Sequence, residues 1–343
     1  MGPERSDRFI DRGAVPFHHA ARRSGCRLAA QRFAADRLVM DARIDAGEEE
    51  RSKGLDPLPV PRGQTSAPPI ITLITDYGLR DGYTAALKGV ILTLAPQVRI
   101  VDVTQEIEPF DVQHGAFVLR QVWNWFPPET IHLVVVDPGV GTMRPILLGR
   151  YEGRYVIAPD NGLITFVHRS FRTEAMYWVE NRELFLADLS STFHGRDMMA
   201  PAAAHLAAGV PPRMFGRPAD RVELLPIPWR AEERGGVLEG RVLHVDRFGT
   251  LVTNVHRDQL ERRKGSVERW RVFVNGDCIG PIRATFADGR EGEMLALIGG
   301  GGFLEIAVNR GRAADRYPHR SDVRIEVREH RAGSDETSVG GAV

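Results

Sequence analysis

Apolar and polar positions along the chain follow two rhythms, with an abrupt beginning near residue 70. Ile70-Ile-Thr-Leu-Ile-Thr75 is a β-branched run suited to a buried strand. Asp76 to Asp81 reads as a turn, and Gly82 to Leu94 has helical spacing, with Tyr83, Leu87, Val90, Ile91 and Leu94 in phase. Val98 to Val103 predicts a second strand. Asp111 to Phe126 predicts a helix capped by Asp111, with Phe117, Val118, Val122 and Trp125 on its apolar side and Pro127-Pro128 stopping it. Ile131 to Val136 is a third strand, Ile146 to Tyr151 and Arg154 to Ala158 form a hairpin around Glu152-Gly153, and Asp197 to Ala208 is an alanine-rich helix. Strands alternating with helices predict an α/β domain over 69–208, a mostly parallel sheet flanked by helices.

From 209 to 235 the prolines Pro211, Pro212, Pro218, Pro226 and Pro228 mark a linker. Over 236–328 the rhythm changes to short strands without a convincing helix: Val237 to Val245, Leu251 to Val255, Trp270 to Val274, Met294 to Ile298, Phe303 to Val308 and Val323 to Val327. A small antiparallel β-barrel domain fits this spacing. Residues 1–68 are rich in Arg, Asp, Glu and Pro and read as a disordered extension, with one marginal amphipathic helix from Arg22 to Met40. Residues 329–343 read as a loose tail.

Composition narrows the function. The 343 residues suffice for two cores, and Lys+Arg and Asp+Glu both count 45. A balanced charge gives neither nucleic acid nor an anionic membrane surface an electrostatic drive. Cys26 and Cys278 belong to no CxxC pattern, no apolar run is long enough to cross a bilayer, and the N-terminus lacks a secretory h-region. The expectation is a cytoplasmic protein.

In open α/β sheets, ligands gather at the carboxyl ends of parallel strands. Asp76 and Asp137 both stand there, each followed by glycine within two residues. An acid in such a place either caps the next turn or serves a site; a ribose diol is a natural partner for a carboxylate that accepts hydroxyl protons. Asp137 opens the turn Asp137-Pro-Gly-Val140-Gly-Thr-Met-Arg144, and His194 lies between Phe193 and Gly195 ahead of the helix carrying Asp197. Acid, guanidinium and imidazole at element ends suit activation of a small nucleophile, although His194 also fits a turn histidine and Arg144 a solvated one. Neither G-x-G-x-x-G nor a Walker motif is present, so phosphate binding has no support. Asp137, His194 and Asp197 lack zinc-ligand spacing, so no metal is expected. A G-x-S-x-G elbow is missing as well. In the second half, Asp246-Arg-Phe248-Gly-Thr250 places an acid and an aromatic at a break in a strand, and the tetraglycine 299–302, with Gly300 inside it, allows close backbone approach.

Together these strings resemble one family. Thr75-Asp76-Tyr-Gly, Val136-Asp137-Pro-Gly-Val-Gly-Thr with Arg144, Ala158-Pro-Asp-Asn-Gly162, Phe193-His-Gly-Arg-Asp197, Asp246-Arg-Phe248-Gly249 and Leu304-Glu305-Ile-Ala-Val308 are similar to motifs of the S-adenosyl-L-methionine (SAM) hydroxide adenosyltransferases, relatives of the fluorinating and chlorinating enzymes. The resemblance spans about residues 70 to 328. It implies hydrolysis of SAM to adenosine and L-methionine by water or hydroxide attacking the ribose C5′, with SAM as substrate and no cofactor. It also implies a homotrimer with each site between one subunit's N-terminal domain and its neighbour's barrel. Asp137, Arg144 and His194 would be the catalytic set. Asp76 would hold the ribose hydroxyls, Phe110 and Phe193 would wall the pocket, and Asp246 would meet the methionine ammonium. Phe248, Glu305 and the backbone near Val308 would surround the ligand. The halogenating relatives carry tyrosine at the place of Asp137, threonine at Val140 and serine at Gly195, so this chain has the hydroxide-type residue at each. Two departures, Thr250 in place of asparagine and glycine in place of serine around Gly300, remove hydrogen-bonding groups expected near the methionine or adenine end. The alternatives are a non-catalytic adenosine or SAM-binding module and, less favoured, a SAM-dependent halogenase.

Overall fold

The β-branched run at residue 70 becomes an inner strand, one in from the edge, of a six-stranded sheet in the computed structural model, which describes residues 67–262 and 269–329. Its strands are β1 (Ile70–Thr75), β2 (Arg99–Thr104), β3 (Ile131–Val135), β4 (Ile146–Tyr151), β5 (Arg154–Pro159) and β6 (Thr173–Trp178), in the order β2-β1-β3-β5-β4-β6. β1 is parallel to β2 and β3, and β3 is parallel to β5; β4 runs antiparallel to β5 and β6. Helices α1 (Tyr83–Leu94), α2 (Val112–Val122), α3 (Thr165–Ser170) and α4 (Ala200–Ala207) cover both faces. On one face Ile71, Leu73, Leu133 and Val135 pack with Leu87, Ile91 and Ala203; on the other Ile74, Val134 and Val136 pack with Leu119, Trp123 and Leu163. Burial on both sides is why these strands read as continuous apolar runs. The chain leaves β1 toward β2 on one side and returns as β3 on the other, so the topological switch point lies between β1 and β3.

Asp111 caps α2 as expected, its carboxylate accepting from the backbone N–H of His114 at 2.9 Å. The end of that segment differs from the periodicity. Past Val122 the chain tightens into a 3-10 turn over Trp123–Trp125, which rotates Trp123 into the core and leaves Trp125 exposed. Tyr83, in phase with the buried side of α1, is also half-exposed, because it sits at the helix's first turn, beyond the edge of the sheet.

The second half contains β7 (Glu232–Arg234), β8 (Val237–Val245), β9 (Leu251–His256), β10 (Trp270–Val274), β11 (Asp277–Arg283), β12 (Met294–Ile298), β13 (Phe303–Val308) and β14 (Arg324–Glu329), with α5 (Arg257–Glu261) after β9. The order β14-β10-β11-β12-β13-β9-β8 closes on itself through β14 and β8, giving a seven-stranded barrel to which β7 adds as a hairpin arm. All pairings are antiparallel except β11 with β12. Its core holds Trp270, Val272, Leu251, Leu304, Ile306 and Ile325. Sheet and barrel meet where α2 lies against β8. Gln113 Nε2 donates to Leu243 O at 2.6 Å, the Phe117 and His244 rings stack at 4.9 Å, and Arg320 Nη2 reaches Asp111 Oδ2 at 2.6 Å. Among the described residues no helix is long and apolar enough to cross a membrane. Most of the expected extension, including the Arg22–Met40 helix, and the tail from 330 onward lie outside the described residues.

Candidate active site

Two acids at the carboxyl ends of β1 and β3 face one cleft. Asp76 follows β1 directly, and Asp137 stands two residues beyond β3, so the parallel pairing of the two strands brings their loops side by side at the switch point. The cleft, of about 250 Å³, is lined by Asp76, Phe110, Asp137, Val140 and Gly195, together with Tyr77, Tyr83, Pro109 and Thr192. Asp76 accepts from the Phe110 backbone N–H at 3.0 Å, which ties the loop before α2 to the end of β1. Burial pushes the Asp76 carboxyl up from its ordinary value, with the Phe110 N–H opposing and the Asp137 charge adding to the rise. Phe110 itself adopts φ 66°, a costly conformation for a bulky residue, and leaves its ring 70% exposed at the rim.

Asp137, Arg144 and His194 form a chain with the guanidinium in the middle. Arg144 Nε donates to Asp137 Oδ1 at 2.6 Å and Nη2 donates to Oδ2, a bidentate pair with both side chains largely buried. Nη2 also lies 3.2 Å from His194 Nδ1. A guanidinium has only donors, so Nδ1 accepts and the ring proton of the neutral imidazole is on Nε2. Burial first, and then the Arg144 charge, hold the imidazole below its ordinary pKa, against the smaller pull of Asp137 and Asp197. The turn that carries Asp137 closes through Val140 N to Asp137 O at 3.2 Å and Thr142 Oγ1 to Gly139 O at 2.7 Å, aiming Arg144 back at the carboxylate.

His194 opens the last helix of the sheet half, which begins with a π-helical turn over Gly195–Met199 before α4, a device common near functional sites. Asp197 is fully buried and accepts from Arg196 Nε at 2.6 Å and Ser190 N at 2.7 Å, pinning the loop before the helix. Neither Arg144 nor His194 lines the cleft; both reach it through Asp137. Phe193 likewise lies behind the surface, edge-on to Tyr77 at 5.7 Å and Tyr83 at 5.4 Å.

The remaining candidates gather in a second cleft, on the barrel, of about 700 Å³. Asp246, Phe248, Thr250, Glu305 and Val308 line it, with Arg247, Phe286, Asn309, Arg310, Gly311 and Arg312. Asp246 holds its own turn, accepting from Thr250 N at 2.8 Å. Gly249 has φ 79° and its α-carbon passes so close to Arg312 that a β-carbon would come within 2.8 Å of the Arg312 side chain, so only glycine fits. That turn presents Phe248 with its ring 76% exposed. Burial, with Asp246 nearby, raises the Glu305 carboxyl above its ordinary value. The cleft thus sets two acids, Asp246 and Glu305, beside the arginines Arg247, Arg310 and Arg312. Gly300 does not line either cleft. No residue is shared between the two clefts.

Sequence reasoning missed Tyr77 and Tyr83. Their signal was the position of both beside the Asp76 turn, masked for Tyr83 by its helical phase with buried residues. The barrel arginines 247, 310 and 312 were missed too, since single arginines in loops carry no pattern.

Two family models match this chain: the SAM hydroxide adenosyltransferase N-terminal domain over residues 71–216 and the corresponding C-terminal domain over residues 240–326. The (R)-S-adenosyl-L-methionine hydrolase of Salinispora tropica is 41% identical over 254 residues, covering 72% of this chain and 93% of that protein. The enzyme of the same name from Thermus thermophilus is 37% identical over 254 residues, 71% of this chain and 94% of its own. A fluorinase from an Actinoplanes species is 32% identical over 289 residues, 76% and 97% respectively. Among solved structures, an uncharacterized conserved protein from Thermotoga maritima superposes with a TM-score of 0.71 at 36% identity, over 76% of this chain and 100% of that one.

Proposed function

The chain belongs to the SAM hydroxide adenosyltransferase family, and from that premise we propose that it hydrolyses SAM to adenosine and L-methionine. The observation that carries this reading is the Asp137 carboxylate, clamped by Arg144 and facing a cleft that also holds Asp76. Water attacks C5′ of the ribose, the C5′–S pair withdraws onto sulfur, and the positive sulfonium becomes the neutral thioether of methionine. The leaving group is already activated, so the protein's task is to orient the water in line with the C–S bond and to take its proton.

Asp137 is the proton acceptor in this reading. Its two oxygens each accept once from Arg144 and each keep a lone pair for the water. His194 presents Nδ1 to Arg144 and carries its proton on Nε2, so it serves to hold the guanidinium rather than to receive the proton. Asp76 binds the ribose hydroxyls, with Phe110 over the sugar or base. Asp246 and Glu305 face the methionine ammonium, and Phe248 and Val308 flank the ligand. Residues 69–208 and 236–328 are the two functional domains, and 209–235 their connection. No cofactor takes part.

The two clefts combine between subunits of a homotrimer. A cleft of about 250 Å³ is smaller than those usual for ligands of nucleoside size. Phe110 and Phe248 leave large apolar rings exposed at the two rims, which suits burial against a neighbouring subunit.

Incubation of the purified protein with SAM, with and without chloride or fluoride, tests the reading. Adenosine and methionine in equal amounts are expected, unaffected by halide. A 5′-halogenated nucleoside would assign the chain to halogenation; tight SAM binding with no product would assign it to binding alone. Asp137→Asn keeps the shape of the side chain and is expected to lower kcat by about 10²–10⁴ while SAM still binds.

A further inference from the structure

Tyr77 follows Asp76 and lines the same cleft as Asp137 and Gly195. Its ring is fixed on two sides, tilted against Tyr83 with centroids 5.9 Å apart and edge-on to Phe193 at 5.7 Å. Its backbone N–H donates to Thr75 Oγ1 at 3.2 Å. Among the described residues the hydroxyl has no hydrogen-bond partner, and on the wall of the cleft it is placed to bond a water there. It points at Gly195, the buried first residue of the π-helical turn. A β-carbon built on Gly195 would overlap the Tyr77 Oη and lie 3.2 Å from Val135 Cγ1. Gly195 is therefore the counterpart of this hydroxyl: the side chain missing at 195 is the space the phenol uses.

We propose that the Tyr77 hydroxyl binds the attacking water, and that with Gly195 it sizes the nucleophile chamber for water. The inference rests on the hydrolytic reading and names a group of that same site. A water at Asp137 donates one hydrogen to the carboxylate and accepts one from the Tyr77 O–H, leaving one lone pair to point along the C5′–S axis. When that lone pair forms the C5′–O bond, the C5′–S electrons pass to sulfur, one proton goes to Asp137, and the Tyr77 proton stays where it is. Burial and the negative charges of Asp76 and Asp137 push the phenol above its ordinary pKa, so it remains a donor at neutral pH. The same hydroxyl closes the volume that a side chain at 195 would need, so a second hydrogen-bonding group cannot be added there while Tyr77 keeps its place.

Tyr77→Phe removes one oxygen and leaves the ring packing intact. It is expected to lower kcat on SAM about tenfold with KM changed less than about twofold, and to leave the melting temperature in place. Gly195→Ala supplies the second arm. In the native background it should lower Tm by roughly 3 °C or more, and in the Tyr77→Phe background most of that loss should disappear. Full kcat in Tyr77→Phe would overturn the hydroxyl's role. An equal Tm loss from Gly195→Ala in both backgrounds would overturn the steric pairing. Native protein without any turnover of SAM would instead overturn the hydrolytic reading, and the water-binding role with it.

Discussion

Asp137, Arg144 and His194 are ordered so that a permanent cation lies between an acid and a base, and the protonation of the base follows from that order. Placing a proton on His194 Nδ1 would break its contact with Arg144 and set two cations against each other. Burial acts in the same direction, so the imidazole titrates below its ordinary value near 6.5. If neutral His194 is needed to hold the guanidinium, protonation of the ring in acid lowers activity. The acid limb of kcat/KM should therefore lie below about pH 6.5. Arg144→Gln removes a charge that lowers the pKa and leaves Asp137 unneutralised, so the His194 imidazole should titrate at higher pH by NMR. An unshifted titration would deny the coupling. At this scale the sequence was readable where a residue sat in a motif at an element end, as these three do. Tyr77 and Tyr83 were hidden because a cleft wall has no period: Tyr83 shares the phase of Leu87 and Ile91 yet stands at the rim.

The junction between α2 and β8 concentrates ionisable groups. The His114 and His244 rings lie 4.5 Å apart, with Phe117 stacked on His244. Asp111 and Glu108 on the α2 side raise the pKa of His114, and Asp111 also raises that of His244; Arg320, bonded to Asp111, lowers both. Burial dominates, and His244 is pushed down to about 4. A histidine whose folded pKa is depressed makes the unfolded chain bind more protons between the two values. Stability therefore falls as pH drops from about 6.5 towards 4, and the loss is complete below that. His244→Phe keeps the stacking and removes the proton site, so urea midpoints between pH 7 and 4 should flatten relative to the native protein. An unchanged slope would locate the acid sensitivity elsewhere. The elements that build this junction were legible, α2 from its cap and period and β8 as one of the short strands of the second half. Those missed were short or irregular: α3 has six residues, β6 lies at a sheet edge, and β11 contains Gly280 and Pro281, which depress any strand reading. The 3-10 turn after α2 was also out of reach, since a change of helical pitch reassigns which tryptophan is buried without changing the sequence pattern.

At the scale of the whole molecule, the resemblance supplied what local patterns lacked, because no period in the chain relates the Asp137 cleft to the Asp246 cleft. In the proposed reaction each cleft is incomplete: Asp76 and Asp137 line one, and Asp246 and Glu305 line the other. A site assembled between subunits makes a prediction that a site within one chain does not. Asp137→Asn disables the sheet half and leaves the barrel half native. Asp246→Asn weakens the barrel half, keeping an oxygen for the Thr250 N–H, and leaves the sheet half native. Each variant alone should be impaired when assayed at low SAM, where kcat/KM is read. Co-expressed at equal levels under separate tags, the chains mix, and a given site then has both native halves with a chance of roughly a quarter. In the proposed trimer every mixed assembly isolated through both tags has one such site in three, so it should regain activity to about a third of the native value. Activity no greater than the average of the two parents would mean that each chain completes its own site, and would remove the subunit boundary from the mechanism while leaving the Asp137 chemistry as it is.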